Sequence, residues 1–72
     1  MNIDFVNKVI QQYYPATFRS KEFQENNVAN TILSMVKNLE SDFKGYAEDS
    51  SEIVRYVMDS SFSGYIILAD FL

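Results

Sequence analysis

The 72-residue chain has no cysteine, no histidine and no tryptophan, and it contains one proline and two glycines. Without cysteine there is no disulfide framework, so a domain of this length has to be held together by its core alone. Without histidine and cysteine the chain lacks the usual general base near neutral pH, thiolate nucleophiles and the standard zinc ligands. We therefore expect a single domain, residues 1–72, that is not an enzyme and that needs no metal or other cofactor.

The two glycines stand apart, at positions 45 and 64, so the sequence has no glycine-rich loop to cradle a phosphate. Carboxylates provide a remaining route to catalysis, because Glu48, Asp49 and Glu52 lie close together and a carboxyl with a raised pKa can act as an acid. The same residues surround the start of a predicted helix, where acidic groups cap the backbone and favour the dipole. We prefer that structural explanation. The segment AEDSSE lacks the ligand spacing of an EF-hand, so calcium binding is not expected.

Lysine and arginine are also scarce, with six basic residues against ten acidic ones and a net charge of −4. The imbalance lies in residues 38–72, which hold two basic and seven acidic side chains. This excess of negative charge repels the phosphate backbones of nucleic acids, so we expect no direct contact with nucleic acid. A DNA-binding regulator that uses Lys8, Arg19 and Lys21 is the alternative that this pattern disfavours.

Long hydrophobic runs are missing, and no stretch approaches the roughly 18 apolar residues that cross a membrane. The segment MNIDFVNKVIQQYY also lacks the basic opening and the continuous apolar run of a signal peptide. These two absences predict a cytoplasmic protein without a membrane partner.

Residues 3–13 have the spacing of an amphipathic helix. Asn2 is the expected N-cap, and Pro15 is expected to end the segment because it disfavours helical geometry in the residue before it. The apolar residues of the inner arc are Ile3, Phe5, Val6, Val9, Ile10 and Tyr13.

Two further helices are predicted by the same periodicity. The second covers residues 21–43, with Ser20 as its cap, and the preceding residues of PATFRSKEFQENN are interpreted as a loop. The third covers residues 50–62, where Asp49 or Ser50 can cap the first turn. Ile53, Val54, Val57, Met58 and Ser61 are expected to line its inner side.

After Gly64 the sequence YIILADFL is apolar on every side except at Asp70. We expect a fourth helix over residues 64–71, with a two-stranded pairing against TFRSKEF as the alternative. The predicted fold is therefore all-α, a small bundle of three to four helices. Because an all-round apolar segment needs cover, we expect part of that cover from a second copy of the chain in a symmetric homodimer. The expected interface residues are Ile66, Ile67, Leu68, Phe71 and Leu72.

Aromatic residues make up 15% of the chain. Their positions place Phe5, Phe43, Phe62 and Phe71 in the core. Tyr56 differs because it lies on the charged side of the third helix, and tyrosine is enriched at interface hot spots. The alternative is a tyrosine ring that lies flat on the helix surface. Its neighbour Arg55 can reach Glu52 and Asp59 along the same helix.

Residues 40–52, ESDFKGYAEDSSE, hold five carboxylates and one lysine around Tyr46. A charge run of this kind is commonly a solvated surface, but it can also be a docking patch that attracts a basic partner. The expected partner-binding residues are Glu40, Asp42, Tyr46, Glu48, Asp49, Glu52, Arg55, Tyr56 and Asp59.

In general build, a very small acidic domain without cysteine or histidine resembles phage-encoded inhibitors and toxin-immunity proteins. Proteins of these kinds act by occupying the working surface of a partner. The resemblance implies a small acidic inhibitor or adaptor that binds the basic, nucleic-acid-handling surface of a protein. The alternative is a homo-oligomeric structural or regulatory helical subunit without masking activity.

Overall fold

The computed structural model describes residues 1–40, 42 and 50–66. These residues form five helices, and residues 63–66 are helical again after Phe62. The helices are α1 (Ile3–Tyr13), α2 (Pro15–Arg19), α3 (Lys21–Glu25), α4 (Val28–Leu39) and α5 (Ser50–Ser61). The described part of the chain contains no strand, so the prediction of a small all-α bundle is confirmed.

The core is built by α1, α4 and α5, which pack against one another in all three pairs. Short α2 packs on α1, and α3 lies between α2 and α4. Full burial of a large apolar side chain stabilises a fold by about 2 kcal/mol, so the buried apolar residues supply most of the driving force for folding. The buried apolar residues are Val6, Val9, Ile10, Phe23, Val28, Ile32, Val36, Ile53, Val54, Val57 and Met58.

Helix α1 begins and ends where the sequence predicts. The Asn2 side-chain oxygen Oδ1 accepts a 3.0 Å hydrogen bond from the backbone N–H of Phe5, which satisfies an N–H group that has no partner within the helix. At the other end Tyr14 leaves helical geometry in front of Pro15. The expected loop after Pro15 is wrong, because Pro15–Arg19 forms α2. Proline suits the first turn of a helix, where its missing N–H would have no partner anyway.

The single helix predicted over residues 21–43 is also wrong, because the chain forms α3 and α4 with a break at Asn26 and Asn27. Asn27 adopts the left-handed conformation, with φ 54° and ψ 43°, which asparagine tolerates better than most residues. The break turns the chain so that Phe23 on α3 and Val28 on α4 both enter the core. The predicted cap at Ser20 is confirmed, since its hydroxyl accepts from the N–H of Phe23 at 3.3 Å.

Three positions expected on inner faces are exposed instead. Phe5 is 36% exposed and Tyr13 is 42% exposed, because the buried stripe of α1 is narrower than its apolar arc. Ser61, at the last turn of α5, is exposed as well. Phe62, which was expected in the core, is half-buried and packs against it. Phe43 and Phe71 lie outside the described residues.

The predicted fourth helix is described only at its start. Residues 63–66 are helical, and the N–H groups of Tyr65 and Ile66 both donate to the carbonyl of Phe62. Tyr65 is held in place by its hydroxyl, which accepts a 3.0 Å hydrogen bond from the Asn26 side chain, and by an edge-on contact with Phe23. This start of the segment is therefore not a strand.

Candidate protein-binding face

Helix α5 has one side in the core and one side in solvent. Ile53, Val54, Val57 and Met58 are buried. The exposed residues Glu52, Arg55, Tyr56 and Asp59 fall within an arc of about 100° when turned at 100° per residue. We call these four exposed residues the outer face of α5. All four were expected on the charged side of this helix.

Arg55 lies toward α1. Its guanidinium carbon Cζ is 4.3 Å from the centroid of the Tyr13 ring, which is the geometry of a cation–π contact. The contact links α5 to the last residue of α1, whereas the sequence pattern predicts only partners of Arg55 on its own helix. Tyr13 lies at the surface, where one face of its ring contacts the charged guanidinium of Arg55.

Tyr14 makes a second link between the same helices. Its hydroxyl donates a 2.6 Å hydrogen bond to Asp59 Oδ1 and lies 3.4 Å from the carbonyl oxygen of Arg55. Partial burial, followed by the hydrogen bond to Asp59 and the negative charge of that carboxylate, raises the pKa of Tyr14 to about 12. The phenol is therefore protonated, and able to donate, throughout the physiological pH range.

Tyr56 is 52% exposed, as the sequence predicted. It stands about 100° around the helix from Arg55, so the two side chains leave the outer face in different directions. Its backbone carbonyl accepts a hydrogen bond from the Ser60 hydroxyl. Glu52 and Asp59, four residues before Tyr56 and three after it, are its neighbours on the helix surface.

The other predicted site residues fall into three groups. Glu40, at the end of α4, and Asp42 are exposed, as a solvated acidic segment requires. Ile66 is half-buried and packs against the core, so at least part of its cover comes from its own chain. Tyr46, Glu48, Asp49, Ile67, Leu68, Phe71 and Leu72 lie outside the described residues.

Exposed apolar surface among the described residues is concentrated on α1, on α5 and at Met1, two residues before α1. Its large members are Met1, Phe5, Tyr13 and Tyr56. Met1 and Phe5 line a depression of about 230 Å³ together with Asn2 and Ser50, where the starts of α1 and α5 meet. Since the end of α1 lies beside Arg55 and Asp59, the two helices run in roughly the same direction.

Sequence reasoning missed the contribution of α1 to this surface. Tyr13 was expected on the inner arc of the first helix. Tyr14 and Asp59 are 45 positions apart, and no local pattern connects them. The sequence feature that could have indicated this contribution is the pair Tyr13 and Tyr14 directly before Pro15. It places two tyrosine side chains, each with a hydroxyl group, at the end of a helix.

Within residues 1–40, 42 and 50–66, no cluster of three or more acidic side chains is arranged to hold a metal ion. No helix in that part of the chain is both long enough and apolar enough to cross a membrane. Comparison with known proteins found no matching family model, no matching curated protein and no matching solved structure. The geometry of the outer face of α5 therefore carries the functional argument.

Proposed function

We propose that this chain is a small acidic inhibitor or adaptor of the phage-encoded or immunity-protein type. It acts in the cytoplasm and occupies the basic, nucleic-acid-handling surface of a protein partner. The observation that carries this proposal is the outer face of α5, where the exposed ring of Tyr56 stands beside the carboxylates of Glu52 and Asp59. The buried residues of α5, Ile53, Val54, Val57 and Met58, lie on the opposite side of the helix, so the outer face presents its side chains to solvent.

Charge supports a basic partner. The chain has a net charge of −4, and residues 38–72 contain seven acidic side chains against two basic ones. An acidic surface attracts a basic protein over a distance of about one Debye length and raises the rate of encounter. The exposed carboxylates of Glu40 and Asp42 extend the same sign of charge beyond α5.

The two links to α1 support a preorganised face. Tyr14 holds the carboxylate of Asp59, and the ring of Tyr13 holds the guanidinium of Arg55. Side chains that are fixed before binding lose less conformational entropy when a partner arrives. A rigid face with one central aromatic residue is the arrangement in which interface hot spots are found.

The test compares two variants with equal net charge. The variant Glu48→Gln/Asp49→Asn/Glu52→Gln removes three of the five carboxylates of the predicted docking patch. The variant Asp4→Asn/Glu22→Gln/Glu25→Gln removes three carboxylates from the N-terminal half. Proteins captured from cells are purified, and each is assayed for displacement of a labelled DNA or RNA by the chain. We expect the first variant to lose displacement and the second to keep it. Equal activity of the two variants, with both folded by circular dichroism, would contradict the docking patch.

The second candidate is a homo-oligomeric helical subunit that masks nothing. It is favoured by Ile66, which keeps part of its surface exposed although it packs against the core. Ile67, Leu68, Phe71 and Leu72 would complete the contact between copies. Sedimentation velocity over a hundredfold range of concentration distinguishes the candidates. A concentration-dependent dimer that has no effect on any nucleic-acid-binding protein supports the oligomer, and a monomer that displaces nucleic acid supports the inhibitor.

A further inference from the structure

The outer face of α5 combines an aromatic ring and carboxylates at the spacing of helix neighbours. Tyr56 has Glu52 four residues before it and Asp59 three residues after it, and Cβ atoms at such positions are about 5–6 Å apart. Tyr56 is more than half exposed, and both acidic residues are exposed. A flat cation placed over the ring would therefore lie within reach of at least one carboxylate.

The chain already contains one contact of this kind on the adjoining surface. The Arg55 guanidinium lies over Tyr13 at 4.3 Å, and the next helical turn carries Asp59. Arginine suits such a position better than lysine for three reasons. Its guanidinium is planar, it is less strongly hydrated than an ammonium group, and it can bind a carboxylate through two parallel N–H groups.

We propose that the outer face of α5 recognises arginine in particular on the basic partner, an inference that rests on the proposed function. A partner guanidinium stacks on the ring of Tyr56 and donates to the carboxylate of Glu52 or Asp59. The occupant is argued from charge complementarity, because the chain is acidic and the positive charge of Arg55 is directed toward Tyr13 at the edge of this face. Lysine would gain the attraction of the carboxylates but little from the ring.

The test uses two peptides of equal charge, nona-arginine and nona-lysine, titrated into the full chain by isothermal calorimetry at low salt. Tyr56→Leu removes the aromatic ring, Tyr56→Phe keeps the ring without the hydroxyl, and Phe5→Leu removes an exposed ring from α1 as a matched control. Circular dichroism checks that each variant is folded.

We expect Tyr56→Leu to weaken the binding of nona-arginine about threefold and to leave the binding of nona-lysine unchanged. A threefold change in the dissociation constant corresponds to the free energy of an exposed cation–π contact. Tyr56→Phe and Phe5→Leu should bind both peptides as the unmodified chain does. Equal losses for the two peptides in Tyr56→Leu, or no loss for either, would overturn the arginine preference.

Glu52→Gln separates failure of this inference from failure of the proposed function. Glu52→Gln can weaken the binding of both peptides while Tyr56→Leu changes the two affinities equally. In that case the acidic docking surface stands and the arginine preference is wrong. If neither peptide binds the unmodified chain at low salt, both the arginine preference and the docking of a basic surface are wrong.

Discussion

The hydroxyl of Tyr14 donates a hydrogen bond of 2.6 Å to Asp59 Oδ1 and so ties the end of α1 to the outer face of α5. Replacing Tyr14 with phenylalanine removes this bond and keeps the ring. We expect the free energy of unfolding to fall by about 1 kcal/mol, as for the loss of a partly exposed hydrogen bond. Urea denaturation measures the change. Tyr13→Phe is the control, because the cation–π contact of Tyr13 uses the ring, and a loss of equal size in the control would contradict the prediction.

The raised pKa of Tyr14 predicts a specific loss of stability in alkali. In the unfolded chain Tyr14 titrates near 10, and in the folded chain it titrates near 12, so the folded state holds the proton more tightly. Its contribution is fully present below pH 10 and is lost as the pH rises toward 12. Thermal melts at a series of pH values should show that Tyr14→Phe loses less stability over this interval than the unmodified chain. Parallel curves for the two proteins would refute the assignment.

The contact between Tyr13 and Arg55 is measurable as a coupling. We expect a double-mutant cycle of Tyr13→Leu and Arg55→Met to give a coupling free energy of about 0.5 kcal/mol, because the cation–π pair is exposed. Chemical denaturation of the four proteins supplies the values. Additive losses in the double variant would show that the two side chains are neighbours without an energetic interaction.

Asn27 fixes the break between α3 and α4. Alanine is strained at its φ of 54°, so Asn27→Ala should lower the free energy of unfolding by about 1–2 kcal/mol, whereas Asn27→Gly should cost much less. Asn27 also accepts a side-chain hydrogen bond of 2.8 Å from Asn30. Asn30→Ala therefore serves as the control, since it removes that bond without affecting the backbone of Asn27. Equal stabilities of the alanine and glycine variants would argue against strain at this position.

Tyr56 should matter for binding and not for folding. We expect Tyr56→Ala to change the free energy of unfolding by less than about 0.5 kcal/mol, because the side chain is largely exposed. In a complex with a protein partner the same substitution should cost about 2 kcal/mol, as for a central interface aromatic residue. Calorimetry with the purified partner and a parallel urea melt give the two numbers. A large loss of stability with unchanged affinity would assign Tyr56 to the structure alone.

Much of the local structure was predictable because its causes lie within a few residues of one another. The caps at Asn2 and Ser20 and the end of α1 before Pro15 all follow from side chains that contact their own neighbouring backbone. The buried side of α5 follows from helical periodicity in the same way. The exposure of Tyr56 was predictable for this reason, since it lies opposite the buried side of α5.

The break at Asn27 shows where local reasoning was insufficient. The sequence offered a signal, because paired asparagines tolerate the left-handed conformation and are frequent in turns. Apolar spacing on both sides nevertheless favoured one continuous helix. The break between α3 and α4 is stabilised by burial of the Phe23 side chain against the other helices. It also lets Val28 begin α4 within the core.

The sequence by itself determined the helical class, the ends of α1 and most of the inner side of α5, because capping and amphipathic spacing act over about four residues. Only the tertiary structure decided that α1 contributes to the outer surface beside α5. The contacts of Tyr13 with Arg55 and of Tyr14 with Asp59 join residues more than forty positions apart. Such pairs depend on how two helices are placed against a shared core, and that placement is set by the packing of the whole bundle.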